Sequence, residues 1–126
     1  MAIHILEDDT GILDALRLVL EMTGDRAVLH RSAESFFEAP PPAAGDLVVV
    51  DVALPGIGGV EVIRWLRRLE SAPRIVAISG QSDRYLARAF RNEPAPLVLR
   101  KPLDEAALAL LVDARTGDGG GPDPTG

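Results

Sequence analysis

Five short apolar runs recur along this chain, and each is followed by a stretch whose apolar residues are spaced for a helix. The runs lie at residues 2–6, 26–30, 47–50, 74–78 and 97–99. Runs of this length, rich in Ile, Leu, Val and Ala, predict strands, and those at 2–6, 47–50, 74–78 and 97–99 predict strands buried on both faces. Between them, Ile12, Leu13, Leu16, Val19 and Leu20 mark a first helix, capped by Asp9 or Thr10 and stopped at Gly24. Ser32 opens a second, short helix through Phe36 and Phe37. Val60, Ile63, Leu66 and Leu69 mark a third; Ser82 or Asp83 caps a fourth through Leu86, Ala89 and Phe90; Asp104 caps a fifth through Ala107, Leu108 and Leu111. Five alternating strand–helix units predict an α/β domain. Its parallel sheet carries helices on both faces, joined by right-handed crossovers.

The polar residues that close these runs lie where such folds build their sites. Glu7 and Asp8 follow the first run, Asp51 the third, Ser79 the fourth, and Lys101 stands just past the fifth. In an open α/β sheet, ligands bind at the carboxyl ends of the strands. Glu7 and Asp8 alone read as helix caps and Asp51 alone as a turn residue. Together, three carboxylates at one edge repel unless a cation neutralises them. Oxygen donors of this kind suit Mg²⁺. A carboxylate such as Asp51 is already ionised at neutral pH and attacks phosphorus without a general base. What it requires is neutralisation of the phosphoryl oxygens, by Mg²⁺ and by Lys101. The Ser79 hydroxyl can hydrogen-bond a phosphoryl oxygen. Gly56, Gly58 and Gly59 match no phosphate-cradling loop and read as the turn chemistry of a mobile loop beside Asp51. His4 and His30 fall inside strands and read as structural, as does Trp65 between Ile63 and Leu66.

Composition narrows the function classes. With no Cys, disulfides, thiolate catalysis and Cys–zinc sites are excluded. The formal charge of −6 argues against direct contact with nucleic acid, which needs phosphates neutralised by Lys and Arg. No apolar run is long enough to span a bilayer, and the start has no basic region followed by an apolar one, so a cytoplasmic location is expected. The expected domain spans residues 1–116. Residues 117–126, all Gly, Asp, Pro and Thr, are expected to be a disordered tail.

With these residues in place, the chain resembles the receiver domain of bacterial two-component response regulators, over about residues 2–114. The motifs that carry the resemblance are Leu6-Glu7-Asp8-Asp9, Val50-Asp51 with Leu54-Pro55-Gly56 and Gly59, Ile78-Ser79-Gly80, and Lys101-Pro102. The segment His30-Arg31-Ser32-Ala33-Glu34-Ser35-Phe36-Phe37 is similar to receivers that precede helix-turn-helix domains. The resemblance implies a doubly wound, CheY-like (flavodoxin-like) sheet of strand order 2-1-3-4-5 with five helices. It implies that Asp51 accepts a phosphoryl group from a histidine kinase or phosphotransfer protein. Asp8, Asp51 and the Ala53 carbonyl would hold Mg²⁺, with Glu7 acting mainly through bound water. Ser79 and Lys101 would hold the phosphoryl group, and the Lys101–Pro102 bond would be cis. The expected function is that of a single receiver domain, not an ordinary enzyme, whose output passes through protein contacts. Those contacts would use the fourth helix, fifth strand and fifth helix, and a homodimer is one form they could take. Many receivers carry Tyr or Phe three residues before the Lys; here that residue is Val98. That departure keeps open a degenerate receiver acting as a constitutive interaction module. A phosphatase-like enzyme with an aspartyl nucleophile would place a second Asp where Ala53 stands, which disfavours that class.

Overall fold

The computed structural model describes residues 1–116; the expectation for the tail lies outside the described residues. Five strands and five helices alternate: β1 Ala2–Leu6, α1 Thr10–Glu21, β2 Arg26–His30, α2 Ala33–Glu38, β3 Leu47–Asp51, α3 Gly59–Arg67, β4 Arg74–Ser79, α4 Asp83–Ala89, β5 Leu97–Arg100 and α5 Glu105–Ala114. The strands form one parallel sheet in the order β2-β1-β3-β4-β5. This is the fold the resemblance implies.

The helices start where small polar residues accept from the first turn. Asp9 accepts from Ile12 N, Ser32 from Ser35 N, Ser82 from Tyr85 N and Asp104 from Ala107 N. Gly24 adopts φ 86° after α1, a conformation that favours glycine. Alternation along the strands then divides the apolar residues into two layers. Ile3, Ile5, Leu47, Val49, Val76, Ile78 and Leu99 pack against α1 and α5. Leu6, Val48, Val50 and Ala77 pack against Phe36 of α2 and Val62, Ile63 and Leu66 of α3. Trp65 packs edge-on to Phe36 and Phe37, at centroid distances of 6.1 and 4.9 Å, so its role is packing.

Two expectations are corrected. β1 and β3 are buried throughout, but β5 is half-buried at Leu97 and Val98 and exposed at Arg100. It is an edge strand, so one flank lacks a neighbour, and α4 beside it has no buried residue. Gly59 is not loop chemistry. It is the buried first residue of α3, and a Cβ there would lie 2.3 Å from Asp51 O and 2.8 Å from Val52 Cα. Of the three glycines, Gly56 has the turn conformation, with φ 75°.

Candidate functional site

Register decides which strand-end residues meet. β1 pairs Leu6 with Val50, so the next residues, Glu7 and Asp51, come side by side. β3 pairs Asp51 with Ile78, and β4 pairs Ser79 with Arg100. The ladder runs one residue past the strands: Glu7 N donates to His30 O at 3.0 Å, Val52 N to Ile78 O at 3.0 Å, and Lys101 N to Ser79 O at 2.8 Å. Glu7, Asp51 and Lys101 share the alternation phase of Ile5, Val49 and Leu99, on the α1/α5 side. Ser79 shares the phase of Ala77, on the other side.

The contacts follow. Lys101 Nζ lies 2.7 Å from Glu7 Oε1 and 3.1 Å from Asp51 Oδ2. The other Asp51 oxygen, Oδ1, accepts from Ala53 N at 3.0 Å. Glu7 Oε2 accepts from Asp9 N at 3.1 Å, and Oε1 has nothing but the Lys101 ammonium to serve it among the described residues. Ser79 is fully buried, and its Oγ accepts from Gln81 N at 2.9 Å. The Lys101–Pro102 peptide bond is cis, as the resemblance implies. Glu7 and Asp8 do not cap α1; that role falls to Asp9.

Electrostatics at the site are set by burial against pairing. Burial pushes the Glu7 carboxyl up to about 7, against the lowering effect of Lys101 and Asp9 N. Burial also disfavours the Lys101 ammonium, but Glu7 and Asp51 outweigh it and hold that group above the ordinary lysine value. Lys101 therefore pairs with two of the three carboxylates, sharing one positive charge between them, a part that sequence reasoning assigned chiefly to Mg²⁺. Glu7, Asp8 and Asp51 each offer an oxygen within 4.8 Å of the others, with Asp8 exposed at the rim. An all-oxygen set with an under-served buried carboxylate oxygen fits a hard divalent cation. The geometry thus offers an oriented carboxylate, an ammonium beside it, an acidic cluster and a neighbouring hydroxyl.

Sequence reasoning missed Arg100. Its Nη1 lies 2.7 Å from Asp83 Oδ1 and its Nη2 donates to Gln81 O at 2.6 Å, tying the β4–α4 loop to β5. No motif marks it, because the contact depends on the Ser79–Arg100 register. Val98 sits half-buried on β5 and lines an open cleft with Leu86 and Phe90. The two histidines are structural in setting. His4 Nε2 lies 3.0 Å from Asp46 Oδ2, and the His30 ring packs edge-on to Phe36.

Residues 3–113 match the family model of the response regulator receiver domain. The transcriptional regulatory protein FixJ of Azorhizobium caulinodans is 31% identical over 117 residues, covering 93% of this chain and 56% of that protein. The chain spans about half the length of the FixJ proteins it matches. The crystal structure of FixJ-N superposes with a TM-score of 0.75 at 25% identity, covering 93% of this chain and 94% of that one. A CheY-like receiver domain protein from Methanospirillum hungatei shares the fold, with a TM-score of 0.76 at 21% identity and 94% of each chain covered.

Proposed function

The chain belongs to the response regulator receiver domain family, and on that premise we propose that Asp51 accepts a phosphoryl group from the phosphohistidine of a histidine kinase or phosphotransfer protein. The observation that carries this reading is the Asp51 carboxylate held between Ala53 N and Lys101 Nζ at the carboxyl ends of β3 and β5. One Asp51 oxygen attacks phosphorus as the phosphorus–nitrogen bond breaks, and the imidazole leaves with that electron pair. The backbone bond from Ala53 N and the ammonium of Lys101 orient the attacking carboxylate. The Lys101 ammonium, keeping its proton, then exchanges its pairing with Glu7 and Asp51 for the phosphoryl oxygens, and the Ser79 hydroxyl turns from Gln81 N to donate to one of them. Asp8, Asp51 and the Ala53 carbonyl would hold Mg²⁺, with Glu7 reaching it through water; when bound, it neutralises the phosphoryl charge as the bond forms.

The output passes through protein contacts rather than through nucleic acid touched by this domain. The formal charge of −6 supports that. The relatives with the FixJ name are transcriptional regulators, and this chain matches about half of their length. The intact set of Glu7, Asp8, Asp51, Ser79 and Lys101 favours a working switch over a constitutive interaction module, Val98 notwithstanding. Incubation with Mg²⁺ and acetyl phosphate is expected to add one phosphoryl mass, stable to acid and labile to base, and Asp51→Asn should abolish it. No mass gain, or a gain that survives Asp51→Asn, would overturn the assignment.

A further inference from the structure

Three cations stand at the carboxyl ends of the strands: Arg31 just after β2, and Arg100 and Lys101 at the end of β5. Two of them are committed. Lys101 pairs with Glu7 and Asp51, and Arg100 with Asp83 and the Gln81 carbonyl. Arg31 is exposed, and among the described residues its side chain makes no ion pair. Its Nη2 donates to Asp8 O at 3.4 Å, a long bond that is readily given up. The backbone fixes this place from both sides. His30, the residue before, pairs with Leu6 and accepts from Glu7 N, and Ser32, the residue after, caps α2. The Arg31 main chain therefore stands beside Glu7 and Asp8, and Asp8 offers an oxygen within 4.8 Å of one on Asp51.

The ground around Arg31 is acidic. Asp8, Asp9 and Glu34 are exposed, and Glu34 leans toward the turn after β3, where a Cβ on Gly56 would lie 2.7 Å from Glu34 Oε2. In-line displacement puts the leaving group on the side of phosphorus away from Asp51. Asp51 is 4% exposed, so that side is the rim that faces solvent. Donors differ in what they leave there. An acyl phosphate arrives as a dianion; its phosphorus–oxygen bond breaks, the oxygen keeps the electron pair, and a carboxylate departs. Phosphoramidate arrives as a monoanion; its phosphorus–nitrogen bond breaks, the nitrogen keeps the pair, and neutral ammonia departs. An acidic rim opposes the first departure and is indifferent to the second. A free guanidinium reverses that opposition, because its planar fork pairs with a carboxylate in bidentate geometry.

We infer that Arg31 is a specificity-determining residue that favours phosphodonors whose leaving group is a carboxylate over donors that lose a neutral nitrogen base. Its guanidinium exchanges the Asp8 carbonyl for the carboxylate departing from the donor. The inference rests on the reading of Asp51 as the acceptor, and it names acyl phosphates as the donor class that this residue selects.

The test compares rates of phosphoryl mass gain by the full chain with two donors, acetyl phosphate and phosphoramidate, each at saturating Mg²⁺ and low ionic strength. Arg31→Gln should slow the acetyl phosphate reaction roughly fivefold, the upper end for one exposed charge pair, and the phosphoramidate reaction by less than about twofold. Arg31→Lys, which keeps the charge and loses the fork, should restore part of the acetyl phosphate rate. Arg26→Gln, at the opposite end of β2, should match wild type with both donors. The phosphoramidate rate also reports that the variant is folded and its Asp51 competent. An equal loss with both donors would mean that Arg31 acts through the Asp8 main chain, and would overturn the inference. So would a larger loss with phosphoramidate, or no loss with either donor. A wild type that takes a phosphoryl group from neither donor would remove the function proposed above and this inference with it. A wild type that takes it from both, at a ratio of rates unchanged by Arg31→Gln, would remove the inference alone.

Discussion

Glu7 is caught between two opposing effects. Its side chain is fully buried, which favours the neutral acid, while Lys101 Nζ at 2.7 Å favours the carboxylate. Burial prevails and lifts its pKa from 4.5 to about 7. A raised carboxyl pKa means that the folded state holds a proton the unfolded state has released. Its contribution to stability is present below 4.5 and is lost as pH rises from there through about 7. In metal-free solution, Glu7→Gln should flatten that dependence and raise stability at pH 8, on the order of 2 kcal/mol. Urea midpoints measured across this range check it; a variant that keeps the wild-type slope would place the proton elsewhere. At this scale the sequence marks Glu7 as acidic and as closing an apolar run. Its burial and its ammonium partner come from a residue far along the chain.

Among the elements, the junction of β3 and α3 constrains the site most tightly. Gly59 N donates to Val52 O at 3.1 Å, and the helix starts so close to the strand that a Cβ on residue 59 would meet the Asp51 carbonyl at 2.3 Å. That neighbour is backbone and cannot rotate away. Gly59→Ala should cost about 2 kcal/mol or more through forced displacement of α3 from β3, and should slow phosphorylation by moving Asp51. Equilibrium unfolding in urea checks the first expectation; a loss under about 0.5 kcal/mol, the size of an ordinary surface change, would show that the helix shifts freely. The five strands, the five helices and the caps Ser32 and Asp104 were legible from period and polar punctuation, while the caps of α1 and α4 were each narrowed to two neighbouring residues, of which the structure uses Asp9 and Ser82. The Gly59 contact was not, since a glycine beside a turn looks the same in sequence whether it bends the chain or admits a neighbour.

For the whole molecule, the proposed Mg²⁺ site couples ligand to fold. A cation that binds only the folded chain stabilises it by mass action, about 2.7 kcal/mol at a hundredfold excess over Kd. For a domain of this size that is a rise in Tm of roughly 10 °C. Asp8→Asn should remove most of the rise. Because Asp8 is exposed at the rim while Glu7 and Asp51 are buried and already share Lys101, the same change should alter metal-free stability little. Equal Tm values for wild type with and without saturating Mg²⁺ would count against the site.

Local physics alone determined which segments are strands and helices, because apolar period and capping residues act within a few positions of one another. It also placed Glu7, Asp8, Asp51, Ser79 and Lys101 at strand ends, since each follows an apolar run that can end only there. Tertiary structure decided who touches whom. The Leu6–Val50 register sets Glu7 beside Asp51, and the Ser79–Arg100 register lets Arg100 reach Gln81 and Asp83. The edge position of β5 leaves α4 unburied, with its arginines facing solvent. Pairing and layer order join residues up to about a hundred positions apart, and no spacing within the chain encodes such a meeting until the sheet has formed.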